Sequence, residues 1–100
     1  MNRTRSHDES IIEMIRNDHE FAAEYLKAAF EELDLEGGES AFLIALRHIV
    51  EAKGGMTEIA EKAGLSRESL YRALSPKGNP TLRTMCRVVH AAGLTFASLA

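Results

Sequence analysis

The chain has 100 residues, enough for one domain, and its 45% hydrophobic fraction is that of a globular protein. No apolar run approaches the roughly 18–20 residues of a membrane helix. The opening MNRTRSHDES lacks the apolar core of a signal peptide, so a cytoplasmic protein is expected. The net charge of −3 conceals a division: residues 1–55 carry twelve acids and six bases, residues 56–100 three acids and six bases.

Strand signals are weak and helical periodicity dominates, which predicts an all-α protein. Residues 1–9 read as a polar tail. A short helix is expected over Ser10–Asn17, with Ile11, Met14 and Ile15 on one face. Asp18 can cap the next, over His19–Leu35, whose broad apolar stripe runs through Phe21, Ala22, Tyr25, Leu26, Ala29, Phe30 and Leu33. Gly37 and Gly38 end it. Ser40 is the expected cap of a third helix reaching Lys53, with Phe42, Ala45, Leu46, Ile49 and Val50 inward, closed by Gly54 and Gly55.

Residues 56–74, MTEIAEKAGLSRESLYRAL, are the most informative stretch. Two short amphipathic helices meet at a Gly-centred turn, the pattern of a helix-turn-helix whose second helix enters the DNA major groove. Thr57 is the expected N-cap of the first helix. Gly64 suits the left-handed stop, and Ser66 caps the second helix. Leu70, Ala73 and Leu74 face inward. The outward face carries Arg67, Glu68, Ser69, Tyr71 and Arg72, able to donate to guanine, accept from cytosine or touch phosphate. The bland alternative is an αα-corner that only packs. The loop Ser75-Pro76-Lys77-Gly78-Asn79-Pro80-Thr81 follows. Lys77, Gly78, Asn79 and Thr81 surround a helix start, which either offers amides to a phosphate or merely shapes the turn. Thr81, or Asn79, begins the last helix, with Leu82, Met85, Cys86 and Val89 inward and Gly93 at its end. The apolar tail Leu94–Ala100 is expected to dock on the bundle or to help bury a dimer seam.

The stretch GLSRESLYRALSPKGNPTLRTMCRVVHAAGL, residues 64–94, resembles the addiction-module antidotes of the HigA-like branch. There a Ser-Arg-Glu-Ser-Leu-Tyr run precedes a Gly-Asn-Pro loop. FAAEYLKAAFEE, residues 21–32, resembles the upstream helix of that family, and residues 39–96 as a whole resemble the lambda-repressor-like (XRE/Cro) domain. The resemblance implies a lambda-repressor-like helical bundle over residues 39–100 and an N-terminal helical extension over residues 1–38. It implies an antitoxin that blocks a small basic RelE/ParE-like toxin by direct binding and represses the shared operon. Homodimers on a palindromic double-stranded operator are expected. A stand-alone or phage-type repressor, and a protein-interaction module that has lost DNA binding, are the alternatives.

The DNA contacts expected are Thr57, Ser66, Arg67, Glu68, Ser69, Tyr71, Arg72, Lys77 and Asn79. Glu68 accepts from a cytosine amine or simply suits the helix's first turn. Phe21, Tyr25, Leu26 and Phe30 either bind the toxin or fill the core. The acidic half either attracts a basic partner or is a solvated surface. His7, His19, His48 and His90 lack metal-ligand spacing, and the lone Cys86 reads as a buried thiol in a reducing compartment, so neither metal nor cofactor is expected. No nucleophile elbow or Gly-rich phosphate loop accompanies them, which argues against an enzyme.

Overall fold

The computed structural model describes residues 3–99, with side chains from His7 onward. Its helices are α1 (Arg3–Asn17), α2 (His19–Glu31), α3 (Gly38–Ala52), α4 (Gly55–Ala63), α5 (Arg67–Ala73) and α6 (Leu82–Ala91), closed by a 3₁₀ turn, Phe96–Leu99. No strand occurs among the described residues.

α3 is the axis. Phe42, Leu43, Ala45, Leu46, Ile49 and Val50 are all buried, while Glu39, Ala41, Ile44 and Glu51 face solvent. A buried face this broad needs more than one neighbour to cover it. α1 and α2 cover it on one flank with Ile15, Ala22 and Leu26, and α4 packs on another with Met56, Ile59, Ala60 and Ala63. Leu70 and Leu74 of α5 and its C-cap, and Val88, Val89 and Ala92 from α6, complete one continuous cluster. The cluster therefore draws buried residues from both sides of residue 38. The radius of gyration, 12.6 Å, is that of a single domain of this length, about 13 Å.

The helix ends follow local chemistry. Asp18 accepts from the N–H groups of Glu20 and Phe21, as expected of an N-cap. Gly64 stops α4 at φ 72°, in the left-handed region. Ser66 accepts from the Ser69 N–H, and Thr81 from the Thr84 N–H.

Several expectations are corrected. Residues 3–9 are helical, because α1 docks on α3 and its Asp8 meets His48; Met1 and Asn2 lie outside the described residues. α2 stops at Glu31 rather than Leu35, and turns lead into α3. α3 begins at Gly38, capped by Gly37 rather than Ser40. A Cβ on Gly38 would collide with the Glu32 carbonyl oxygen, so the tight α2–α3 turn demands this residue. Thr57 is not a cap: the Gly54–Gly55 pair restarts the helix earlier, with Gly54 at its start, which leaves Thr57 exposed in the first turn.

α6 is rotated from its expected setting. Val88, Val89 and Ala92 face the core, while Leu82 is 74% exposed and Cys86 is exposed. Met85 is half-buried and Met14 of α1 faces solvent. The apolar tail docks through Leu94 and Leu99 and packs beside α2; Ala100 lies outside the described residues.

Candidate nucleic-acid interface

α5 is short, and two side chains, Leu70 within it and Leu74 just beyond its end, anchor it to the core. This fixes the opposite face outward: Arg67, Glu68, Ser69, Tyr71 and Arg72 are all exposed. Two concavities flank the helix. One, of about 740 Å³, is lined by Thr57, Arg67 and Tyr71 together with Ile44 and Arg47 of α3 and Asp8 of α1. The other, of about 660 Å³, gathers Ser69 and Arg72 with Lys77, Asn79, Thr81 and Thr84. Most of the sequence candidates thus fall into two groups, one in each concavity, and Ser66 and Glu68 line neither.

The loop after α5 is held in place from behind. The Ser40 hydroxyl donates to the Pro76 carbonyl across 3.0 Å, tying the loop to α3. A Cβ on Gly78 would run into the Ala73 carbonyl oxygen, so only glycine lets the loop approach the end of α5 so closely. This approach brings Lys77 and Asn79 beside Arg72.

Hydrogen bonds sort the hydroxyls by what remains free. Ser66 accepts from the Ser69 N–H at 3.0 Å and donates to the Ser69 Oγ at 2.8 Å. Ser66 is thereby committed to its own helix. The Ser69 hydroxyl accepts that bond and keeps its own proton for an outside acceptor. Thr81 and Thr84 repeat the arrangement at the start of α6.

Charge distinguishes this region from the rest of the surface. The ion pairs among the described residues are Arg16–Glu13, His48–Asp8 and Lys62–Glu58. None involves Arg67, Arg72 or Lys77, nor Arg83 or Arg87 of α6. Between residues 64 and 87 these five bases accompany a single acid, Glu68. Cations grouped without carboxylate partners raise a local positive potential, which attracts phosphate.

Sequence reasoning missed Arg47. Its Nη2 donates to the Tyr71 hydroxyl at 2.8 Å, and its guanidinium lies 4.6 Å from the Tyr71 ring centre. Arg67 sits on the same ring at 5.7 Å. Arg47 and Tyr71 are 24 apart in sequence; the one local signal was an arginine interrupting the apolar pattern of α3.

The candidates on α2 are placed differently. Leu26 is 0% exposed and lies wholly in the core, so it offers no surface to a partner. Phe30 is half-buried and packs against Phe42 and Phe96, with ring centres 6.2 and 6.1 Å away. Phe21 and Tyr25 are half-buried and stacked at 5.8 Å. The Tyr25 hydroxyl meets His48 Nδ1 at 2.8 Å, while His48 Nε2 meets Asp8 at 3.2 Å. A carboxylate only accepts, so in the neutral imidazole Nε2 carries the proton and Nδ1 accepts from Tyr25. Burial, and then the charge of Asp8, raise the Tyr25 pKa above its ordinary value. This relay joins α1, α2 and α3.

Among the described residues no cluster of His, Cys, Asp and Glu could hold a metal ion, and no helix is long and apolar enough to cross a membrane. The fold and this surface define a small all-helical protein with an acidic amino-terminal half and a cationic short helix and loop. Residues 8–100 match the family described as "Probable addiction module antidote protein". An uncharacterized protein of Haemophilus influenzae is 39% identical over 79 residues, which cover 79% of this chain and 80% of that one. The chain belongs to this addiction module antidote family. An antidote implies a toxin that it counters. No solved structure matches the chain.

Proposed function

We propose that this chain neutralises a small basic RelE/ParE-like toxin by direct binding and represses its own operon by sequence-specific DNA binding. α4 and α5 then serve as a lambda-repressor-like helix-turn-helix, with α5 in the major groove. The observation that carries the DNA half is the grouping of Arg67, Arg72 and Lys77 around α5 without a carboxylate partner. Arg67 and Arg72 suit guanine O6/N7 or a phosphate, both of which match the guanidinium fork. Lys77, Asn79 and Ser69 suit the backbone beside the groove. Thr57, exposed in the first turn of α4, reaches the same backbone on the other flank. Ser66 contributes by capping α5, and Tyr71 and Glu68 by their exposed tips.

A homodimer on a palindromic operator places two copies of α5 about 34 Å apart, one helical turn of DNA. Family membership supports the toxin half. The exposed Glu20, Glu24, Glu31 and Glu32 around α2, beside the accessible edges of Phe21 and Tyr25, support a basic partner on that flank. Co-expression with a short basic reading frame adjacent to the gene tests the toxin half. Co-purification and rescue of growth are expected; no complex and no rescue would refute it. The DNA half is tested by mobility shift on the gene's upstream region.

A further inference from the structure

We infer that Arg47, on α3, is a positioning residue of the DNA-binding surface, acting by turning the Tyr71 hydroxyl toward DNA as a hydrogen-bond donor. This inference rests on the DNA half of the proposed function. Arg47 lines a groove that also contains two carboxylates, Asp8 and Glu51, the latter four residues along the same helix. A guanidinium would ordinarily settle on a carboxylate there. Instead, the acceptor it meets among the described residues is the Tyr71 hydroxyl, at 2.8 Å, with the ring 4.6 Å from its Cζ. Asp8 is occupied by His48.

The consequence is directional. A free tyrosine hydroxyl can accept or donate. One that already accepts from a guanidinium turns its own proton away from it, so it favours an acceptor outside. Tyr71 is 44% exposed on α5, four residues from Arg67, whose guanidinium lies 5.7 Å from the same ring centre. The ring is thereby gripped by two cations, one from its own helix and one from α3. DNA offers acceptors of two kinds: phosphate oxygens, and base atoms such as guanine O6 and N7 or thymine O4. The side of a cytosine or adenine that presents an amine is disfavoured.

The test uses the full chain and the duplex it enriches from a random-sequence pool, with a scrambled duplex as control. Arg47→Ala and Tyr71→Phe are each expected to weaken binding about tenfold, and the double variant about tenfold rather than a hundredfold, because both remove one coupled unit. Arg47→Lys is expected not to restore binding, since an ammonium lacks the planar fork and the ring stack. Repeating the enrichment with Tyr71→Phe and with Arg47→Ala separates the acceptors. Relaxed choice at the same base position in both assigns the acceptor to a base, and uniform weakening without relaxation assigns it to a phosphate. Additive losses in the double variant, or full rescue by lysine, would overturn the inference while leaving the DNA reading intact. A wild-type chain that enriches nothing over the scrambled duplex would overturn both. Thermal melting of each variant guards against loss of fold: Arg47→Ala that binds weakly while melting as wild type supports the inference.

Discussion

Lys77→Ala probes the cationic surface through a quantity that geometry sets. Lys77 lies in the loop after α5, beside Arg72 and Asn79 and without an ion-pair partner among the described residues. Each phosphate neutralised by a cation contributes about −0.9 to the slope of log affinity against log salt. Arg67, Arg72 and Lys77 from two protomers make about six such contacts, giving a slope of about −5 and a loss of about a thousandfold between about 50 and 200 mM salt. Lys77→Ala removes about two, so the slope should fall to between about −3 and −4 and the loss to about a hundredfold. The stability of the chain should stay within about 0.5 kcal/mol of wild type, because an exposed side chain with no partner is being removed. Fluorescence anisotropy on a labelled operator, titrated at several salt concentrations, measures the slope. An unchanged slope would remove Lys77 from the phosphate contacts. A wild-type slope near zero would refute the account of the whole surface.

Three further outcomes are expected. Leu26→Ala should destabilise the chain by about 2–5 kcal/mol in urea unfolding, as a fully buried side chain does; wild-type stability with selective loss of a toxin complex would mean that it faces a partner. Gly78→Ala should cost about 1–3 kcal/mol, because its Cβ meets the Ala73 carbonyl, and should lower operator affinity by pushing Lys77 and Asn79 off α5; a neutral result in both assays would show that the loop does not rest there. The third concerns alkaline pH. The folded state holds the Tyr25 proton more tightly than the unfolded chain, so its contribution is complete below the ordinary value of 10.0 and is lost as pH rises through the higher folded value. Stability should therefore fall above pH 10, and Tyr25→Phe should flatten that part of the pH profile; an identical profile in the variant would exclude Tyr25 as its source.

What could be read from the sequence was what neighbouring residues decide. Asp18, Ser66 and Thr81 cap the helices expected of them, and Gly64 ends α4, because each acts within four residues of its own position. The face of α6 could not be read this way. Leu82, Met85, Cys86 and Val89 satisfy helical spacing, but so do Met85, Val88, Val89 and Ala92, and the second set is the one turned inward. The direction in which the Ser75–Thr81 loop delivers the chain chooses between them, and that depends on Gly78 resting against α5. The starts of α3 and α4 differ from expectation for a related reason. Paired glycines read locally as stops, whereas Gly37 and Gly54, both at positive φ, also open the next helix. Among the candidate contacts, residue types were legible but their grouping was not: Arg72 and Lys77 converge through a turn, and Arg47 reaches Tyr71 across 24 positions.

The position of α3 gives these separate observations a common cause. Seven of its fifteen residues are buried, and Arg47 and His48 are half-buried where α3 meets its neighbours. Arg47 and His48 are adjacent in sequence, about 100° apart around a helix, and line one groove while turning to different partners. His48 meets Tyr25 of α2 and Asp8 of α1, while Arg47 meets Tyr71 of α5. One turn of one rigid helix thus carries the polar link to the acidic amino-terminal helices and the polar link to the cationic helix. The acidic and cationic surfaces are consequently parts of one packed body with fixed relative positions. Truncation after residue 38 would expose Phe42 and its neighbours on α3, so the effect of removing α1 and α2 on DNA affinity reports lost packing before it reports lost charge.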